Sequence, residues 1–142
     1  MTGAAGSAAY DRGVRDPTPA ELELYAAARA AAAGAYVPYS GFAVGAALRT
    51  ASDAVITGVN IENASYGLTC CAERTAMFAA VAAGEREFTA IAVHGDAASV
   101  PPCGACRQVL AEFAPGLVVV YRQDGAPVAA ELDELLPARF QL

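Results

Sequence analysis

The chain has 142 residues and a formal net charge of −6 at pH 7. This length suits one domain, which can bury a core without disulfide bonds. The acidic charge argues against a DNA or RNA polymer as partner, since such partners select a basic surface. No stretch approaches the roughly 18 uncharged apolar residues of a membrane span, and the N-terminus lacks the pattern of a secretory signal. We therefore predict a cytoplasmic protein without a membrane partner.

The first predicted element is a helix that follows an N-terminal tail. Residues 1–16 are rich in Gly, Ala and Ser with scattered charges, which predicts a flexible tail before a single domain of residues 17–142. Thr18 as N-cap, Pro19 at the first helical position and Glu21 three residues after the cap form a capping box. Gly34 is expected to end this helix as its C-cap glycine.

Strands and helices then alternate along the chain. Segments 42–50 and 54–61 predict the two strands of a hairpin. The elements expected after them are a helix from Cys71 to Ala83 that Gly84 ends, a strand at 87–95, a helix from Cys103 to Phe113, strands at 117–122 and 126–130, and a short helix from Glu131. This order predicts an α/β fold in which a mixed sheet lies between helices.

Three of the four cysteines stand at predicted helix starts. Cys103 and Cys106 lie three residues apart, so on one helix their sulfurs share a face. Cys71 comes earlier, but two parallel helices that begin at one edge of a sheet could bring all three sulfurs together. Helix N-termini favour the thiolate, which is the form that binds metal. Three thiolates around tetrahedral zinc would leave one position open for water, which zinc makes more acidic.

Glu73 follows Cys71 by two residues and could exchange a proton with such a water without being a ligand. The segments C-A-E at 71–73 and P-C-G-A-C at 102–106 match the pattern of zinc deaminases, with cysteine at the first ligand position. A structural site that used all four cysteines would leave Glu73 unexplained, and Cys70 is interpreted as a packing residue. His94 is interpreted as a satisfied or exposed histidine near a strand end.

The chain closely resembles the small homotetrameric zinc-dependent cytidine deaminases. The resemblance is carried by YVPYSGFAVGAAL, GVNIENASYGLTCCAERTAMFAAV, PPCGACRQVLAEF and ELLPARF, which together span nearly everything after the tail. It implies a three-layer fold with a five-stranded mixed sheet, and one Zn²⁺ per subunit on Cys71, Cys103 and Cys106. A zinc-bound hydroxide would attack C4 of cytidine or deoxycytidine, and Glu73 would shuttle protons between the water, N3 and the leaving amine. The products would be ammonia and uridine or deoxyuridine, in pyrimidine salvage.

The same resemblance implies roles in binding the free nucleoside. Asn60 and Glu62 would hydrogen-bond the ribose hydroxyls, and Phe42 would pack on the base. The other residues expected at the site are Ala72, Tyr66 and Phe140, of which Phe140 would reach the site of a neighbouring subunit. From residue type alone, Asn60 and Glu62 could be loop polar residues, Phe42 and Tyr66 core or interface aromatics, and Phe140 part of a frayed terminus.

Charge balance suggests a role for Arg74. Three thiolates on Zn²⁺ carry a net charge of about −1, which weakens zinc as a Lewis acid. An arginine hydrogen-bonded to a ligand sulfur would withdraw some of that charge. Gln108, two residues after Cys106, is a second candidate for this role.

Other functions remain open at this point. A deaminase of aminonucleoside antibiotics of the blasticidin S type shares the zinc motif. A non-catalytic, zinc-stabilised assembly subunit would instead place Glu73 away from the metal. An RNA-editing role is disfavoured by the acidic charge.

Overall fold

A mixed sheet of five strands forms the centre of the computed structural model, which describes residues 13–142. Its strands are β1 (Val44–Thr50), β2 (Val55–Val59), β3 (Phe88–Gly95), β4 (Val118–Gln123) and β5 (Ala126–Glu131), in the spatial order β2-β1-β3-β4-β5. β1 pairs antiparallel with β2 and β3, β3 pairs parallel with β4, and β4 pairs antiparallel with β5. The predicted mixed five-stranded sheet and its N-terminal hairpin are confirmed.

Helices cover both faces of this sheet. They are α1 (Pro19–Ala31), α2 (Ala72–Ala82), α3 (Gly104–Phe113) and α4 (Leu132–Leu135). Leu24 and Ala28 of α1 pack with Ala47 of β1 in one core cluster, whereas the neighbouring Ala46 and Leu48 pack with α2 and α3 in the other. This alternation is what a strand buried on both faces requires. The predicted three-layer arrangement is confirmed, and no helix among residues 13–142 is long and apolar enough to cross a bilayer.

The N-terminus of α1 agrees with the sequence pattern, whereas its C-terminus does not. The capping box is present, since the Thr18 hydroxyl accepts from the Glu21 amide at 3.2 Å and the Glu21 carboxylate accepts from the Thr18 amide at 2.9 Å. The predicted C-cap at Gly34 is wrong, because α1 ends at Ala31 with Ala32 as its C-cap. Ala32 keeps a right-handed conformation, with φ −55°, and continues into a 3₁₀ turn of residues Ala32–Gly34.

The segment before α1 is attached to the far edge of the sheet. Residues 1–12 of the expected tail lie outside the described residues. Arg15 exchanges two backbone hydrogen bonds of 2.9 Å with Ala129 of β5. Its guanidinium also donates to both carboxylate oxygens of Glu21, at 2.8 Å each. The described part of the segment therefore links α1 to β5.

The parallel pairing of β3 and β4 determines where α2 and α3 begin. Each helix precedes one of these strands, so the two helices start at the same edge of the sheet. The first turn of α2 also lies directly on β2. A Cβ on Gly58 would stand only 2.5 Å from the Ala72 carbonyl oxygen, and the Thr75 hydroxyl accepts from the Val59 amide at 3.0 Å. The close contact with glycine fixes the height of this turn above the sheet.

Candidate active site

Three cysteine sulfurs converge where α2 and α3 begin. Cys71 and Cys103 are the N-caps of these helices, which begin one residue after the predicted starts, and Cys106 lies in the first turn of α3. The Sγ atom of Cys103 is 3.8 Å from that of Cys71 and 3.5 Å from that of Cys106, and all three sulfurs lie within 4.8 Å of one another. Tetrahedral zinc with Zn–S bonds of about 2.3 Å separates its sulfur ligands by roughly 3.8 Å. The donor set therefore fits one zinc ion.

The surroundings of the sulfurs favour thiolates. Nη2 of Arg74 lies 3.4 Å from the Cys71 sulfur. A hydrogen bond with Cys106 and a second one with Arg74 lower the pKa of Cys71 to about 5. The hydrogen bond with Cys71 raises the pKa of Cys106, and burial raises it further, so the first negative charge resides on Cys71. The thiolate in turn raises the pKa of Arg74, which stays charged.

Glu73 lies in the first turn of α2, beside the sulfurs but outside their set. Its side chain is only 4% exposed. Burial raises the pKa of this carboxyl, while a hydrogen bond from its own backbone amide acts in the opposite direction. A carboxyl whose neutral form is stabilised by burial can hold a proton and release it to a bound molecule.

Asn60 and Phe42 are joined through the backbone at the start of β1. Nδ2 of Asn60 donates to the Phe42 carbonyl and Oδ1 accepts from the Val44 amide, both at 2.8 Å. The Phe42 ring lies over the end of β3, where a Cβ on Gly95 would be 2.8 Å from Cζ of the ring. The ring remains 38% exposed, so one part of it is available to a ligand.

Glu62 is held by the loop that precedes Phe42. Its Oε1 accepts from the backbone amides of Tyr39 and Ser40 at 3.0 and 3.1 Å. The hydrogen bond from the Ser40 side chain, with help from these amides, lowers the pKa of this carboxyl and keeps it ionised. Sequence reasoning did not assign any role to Tyr39 or Ser40, although both lie in the segment YVPYSGFAVGAAL that carries the family resemblance.

The remaining predicted site residues differ widely in exposure. Ala72 is fully buried, whereas Tyr66 and Phe140 are 74% and 73% exposed. The Tyr66 ring meets that of Tyr39 edge to face, with centroids 5.9 Å apart. Nε2 of Gln108 donates to the Phe140 carbonyl at 3.0 Å, so within residues 13–142 its hydrogen bond goes to the C-terminal segment and not to a sulfur.

Arg107, which sequence reasoning missed, connects two segments behind the sulfurs. Its Nε donates to the Pro102 carbonyl at 2.8 Å, and its Nη1 donates to the Leu135 carbonyl at 2.7 Å. The first bond stabilises the loop that carries Cys103, and the second stabilises the end of α4. Only its position directly after Cys106 could have drawn attention to it.

Cys70 and His94 stand apart from the sulfur set. Cys70 exchanges backbone hydrogen bonds with Ile61, at 2.9 and 3.0 Å, in an isolated β-bridge just before α2. Nδ1 of His94 lies 2.6 Å from the Tyr25 hydroxyl. Neither residue belongs to the metal-ligating group found among residues 13–142.

Comparison with known proteins agrees with this geometry. The family model of the cytidine and deoxycytidylate deaminase zinc-binding region matches residues 19–122, which include all three clustered cysteines and Glu73. The chain belongs to this deaminase family. The predicted family and the predicted zinc cofactor are thus confirmed, since the matched region binds zinc and the sulfur cluster fits it.

Individual members of the deaminase family resemble the chain over most of its length. A cytidine deaminase from Halalkalibacterium halodurans is 56% identical over 110 residues, covering 75% of this chain and 83% of the relative. The crystal structure of cytidine deaminase from Burkholderia pseudomallei is 52% identical with a TM-score of 0.80, covering 84% of this chain and 98% of that one. A blasticidin-S deaminase from Bacillus cereus is 35% identical over 106 residues, covering 68% of this chain and 76% of the relative.

Proposed function

We propose that this protein is a zinc-dependent enzyme that deaminates cytidine and deoxycytidine hydrolytically to uridine and deoxyuridine, with release of ammonia. The observation that supports the proposal is the position of Glu73. Its carboxyl is buried beside the three cysteine sulfurs but is not one of the groups that could hold the metal. A purely structural zinc site needs no such acid. The likeness to cytidine deaminases at 56% and 52% identity supports the substrate class.

Cys71, Cys103 and Cys106 would hold the zinc ion. When bound, zinc supplies a Lewis acid that brings the pKa of a water molecule near neutrality. Arg74, which already donates to the Cys71 sulfur at 3.4 Å, would offset part of the negative charge of the thiolates.

Glu73 would move the protons of the reaction. Water adds across the C4–N3 double bond of the cytosine ring, so that its oxygen bonds to C4 and one of its protons reaches N3 through the Glu73 carboxylate. The same side chain then takes the second proton from the oxygen and passes it to the amine at C4. The C4–N bond breaks, ammonia leaves and the C4 carbonyl of uracil remains. Burial of Glu73 suits this role because a raised pKa favours a carboxyl that carries protons.

The nucleoside would lie between the sulfurs and the loop of residues 39–44. Phe42 would pack on the base, Asn60 and Glu62 would bind the ribose hydroxyls, and the Ala72 backbone and Tyr66 would line the site. Support comes from Asn60, which joins directly to the Phe42 carbonyl, and from the depressed pKa of Glu62, which suits an acceptor of hydroxyl protons.

Assembly into a homotetramer with shared sites is the second part of the proposal. Large hydrophobic side chains are exposed on the segments around the sulfurs and at the C-terminus, and they include Tyr36, Tyr39, Tyr66, Leu68 and Phe140. Exposed apolar surface of this kind commonly marks a protein interface. Phe140 would complete the site of a neighbouring copy. A cytoplasmic location is part of the same proposal, because all four cysteines are free thiols.

A blasticidin S-type deaminase is the second candidate, favoured by the 35% identical relative of that name. Both functions use the same three sulfurs and Glu73, so the site alone does not distinguish them. A non-catalytic zinc-stabilised subunit is the third, and it predicts zinc binding without turnover.

Ammonia release from the zinc-loaded protein separates these candidates. The assay compares cytidine, deoxycytidine and blasticidin S with wild-type protein and Glu73→Gln, and the zinc content of each sample is measured. We expect turnover of both pyrimidine nucleosides and its loss in Glu73→Gln at unchanged zinc content. Turnover of blasticidin S alone would transfer the protein to the second candidate, and no turnover with zinc bound would favour the third.

A further inference from the structure

A cavity of about 530 Å³ lies on the face of the sheet opposite the cysteine cluster. Its walls come from α1, from the ends of β3 and β4 and from the turn that leads to β5, and its polar lining residues are Tyr25, Arg29, His94, Asp96 and Arg122. α1 packs on one side of the sheet, whereas α2 and α3, which carry the cysteines, pack on the other. The cavity therefore lies across the sheet from the cysteine cluster, and its wall meets the loop of residues 39–44 only at Ala43. Its volume lies within the range of about 300–1,000 Å³ that is usual for small-molecule sites.

The charged groups of the cavity leave an excess of positive charge. Two arginines, Arg29 and Arg122, stand against one carboxylate, Asp96, which gives a formal sum of +1 in a chain whose net charge is −6. Arg122 reaches Asp96 only at 3.8 Å, and the Asp96 side chain is fully exposed. The Arg29 side chain has no hydrogen bond or ion pair with any other residue in the range 13–142. Both guanidinium groups therefore keep donors available.

The other two polar lining residues without a full charge contact each other. Tyr25 and His94 form a pair there, with the hydroxyl 2.6 Å from Nδ1 and the rings edge to face at 5.4 Å. Burial lowers the pKa of His94, and the positive charges of Arg29 and Arg122 lower it further while Asp96 opposes them. A neutral His94 bonded to Tyr25 leaves the two arginines as the positive charges of the cavity.

Local structure accounts for each arginine only in part. Arg29 lies in the last turn of α1, where a cation interacts favourably with the helix C-terminus. Arg122 has its weak pair with Asp96. Neither interaction explains why both side chains line one cavity of ligand size on an otherwise acidic protein.

We propose that this cavity binds a small anion carrying a phosphate group, with Arg29 and Arg122 as its cationic contacts. The planar guanidinium presents paired donors that match phosphate oxygens. A phosphate group has enough terminal oxygens to engage two guanidinium groups together, whereas the two oxygens of a single carboxylate are satisfied by one. Phosphate is thus the anion that best uses both arginines.

The test measures binding to the zinc-loaded protein at constant ionic strength by calorimetry and by amide chemical shifts. The probes are inorganic phosphate and ribose 5-phosphate, which distinguish a free phosphate from a phosphate ester, and ribose and citrate serve as controls. We expect saturable binding of at least one phosphate probe, with shifts at His94 and Arg122. The Arg29→Gln/Arg122→Gln double variant should weaken this binding at least tenfold, and Arg29→Lys/Arg122→Lys should weaken it less.

Arg86→Gln is the matched control, because Arg86 is an arginine outside the cavity whose side chain bonds to the backbone carbonyls of Val81 and Glu85, near the C-terminal end of α2. It should leave phosphate binding unchanged. Equal binding of phosphate by the folded Gln double variant, no saturable binding of either phosphate probe, or equal affinity for citrate would each overturn the proposal. No nucleoside is present in these measurements, so their outcome does not depend on the proposed deamination.

Discussion

Replacement of Arg74 tests whether charge on the thiolates controls the reactivity of the site. In the structure Nη2 of Arg74 is 3.4 Å from the Cys71 sulfur, and this hydrogen bond raises the pKa of the guanidinium. Hydrogen bonds to charged groups are worth about 1.5–3 kcal/mol each. Loss of one such bond at the transition state, at about 1.36 kcal/mol per factor of ten, predicts a fall in kcat of roughly 10- to 150-fold for Arg74→Ala.

Zinc should remain bound in Arg74→Ala, because the three sulfurs still converge within 4.8 Å and Arg74 is not among them. Arg74→Lys should fall between wild type and alanine, since a lysine keeps the charge but not the paired donors. The assay is ammonia release at saturating cytidine, with zinc content measured in the same samples and Arg86→Ala, at the opposite end of α2, as a control arginine. A normal kcat in metal-replete Arg74→Ala would refute the reasoning.

Three further substitutions test the framework around the site. Gly58→Ala would put a Cβ 2.5 Å from the Ala72 carbonyl and 2.6 Å from the Thr75 hydroxyl, so we expect a loss of about 1–3 kcal/mol in the free energy of urea unfolding. Arg107→Ala removes hydrogen bonds of 2.8 and 2.7 Å to two carbonyls, and should lower that free energy by about 1–3 kcal/mol and speed zinc transfer to a chelator. Glu21→Gln should lower the free energy of unfolding by about 1 kcal/mol at pH 7, a small value because the Arg15 partner is partly exposed to solvent. At low pH the substitution should not change this free energy.

The pH dependence of the Glu21 effect has a definite sign. The hydrogen bond from Arg15 lowers the pKa of Glu21 below its usual value of 4.5 in the folded protein. Its stabilisation is therefore complete above the ordinary carboxyl pKa and disappears as the pH falls through the lower folded value. A Glu21→Gln deficit that persists unchanged in acid would contradict this account. If Gly58→Ala unfolded in urea like the wild type, the prediction for Gly58 would be wrong. If Arg107→Ala released zinc to a chelator at the wild-type rate, the prediction for Arg107 would be wrong.

The parts of the fold that sequence predicted best are those set by near neighbours. The capping box of Thr18 and Glu21 needs only a three-residue spacing, and Cys103 and Cys106 are likewise three residues apart. Gly34 shows the limit of such rules. A glycine near the end of an alanine-rich helix suggests a left-handed cap, but here the chain tightens into a 3₁₀ turn before it reaches that residue.

Contacts between distant segments could not be read from spacing. Arg15 was assigned to a tail, yet its bond to Glu21 depends on a β-bridge with Ala129, more than one hundred positions away. Arg107 gives no hint in the sequence that Leu135 is its partner. Every residue has a backbone carbonyl, so the residue type of an acceptor such as Leu135 does not reveal it. A side chain that binds backbone carbonyls therefore cannot be predicted from sequence motifs.

Asn60 and Glu62 combine both kinds of information. The motif around them predicted ribose contacts, but each already binds backbone of the loop before β1: Asn60 through the Phe42 carbonyl and the Val44 amide, and Glu62 through the Tyr39 and Ser40 amides. A ligand that used their remaining acceptors and donors would meet groups already fixed in place. Less side-chain entropy would then be lost on binding, which is the advantage of a preorganised site. The polar residues that would recognise the sugar are thus the same ones that hold Phe42 over Gly95, so recognition of ribose and placement of the base depend on one hydrogen-bonded loop.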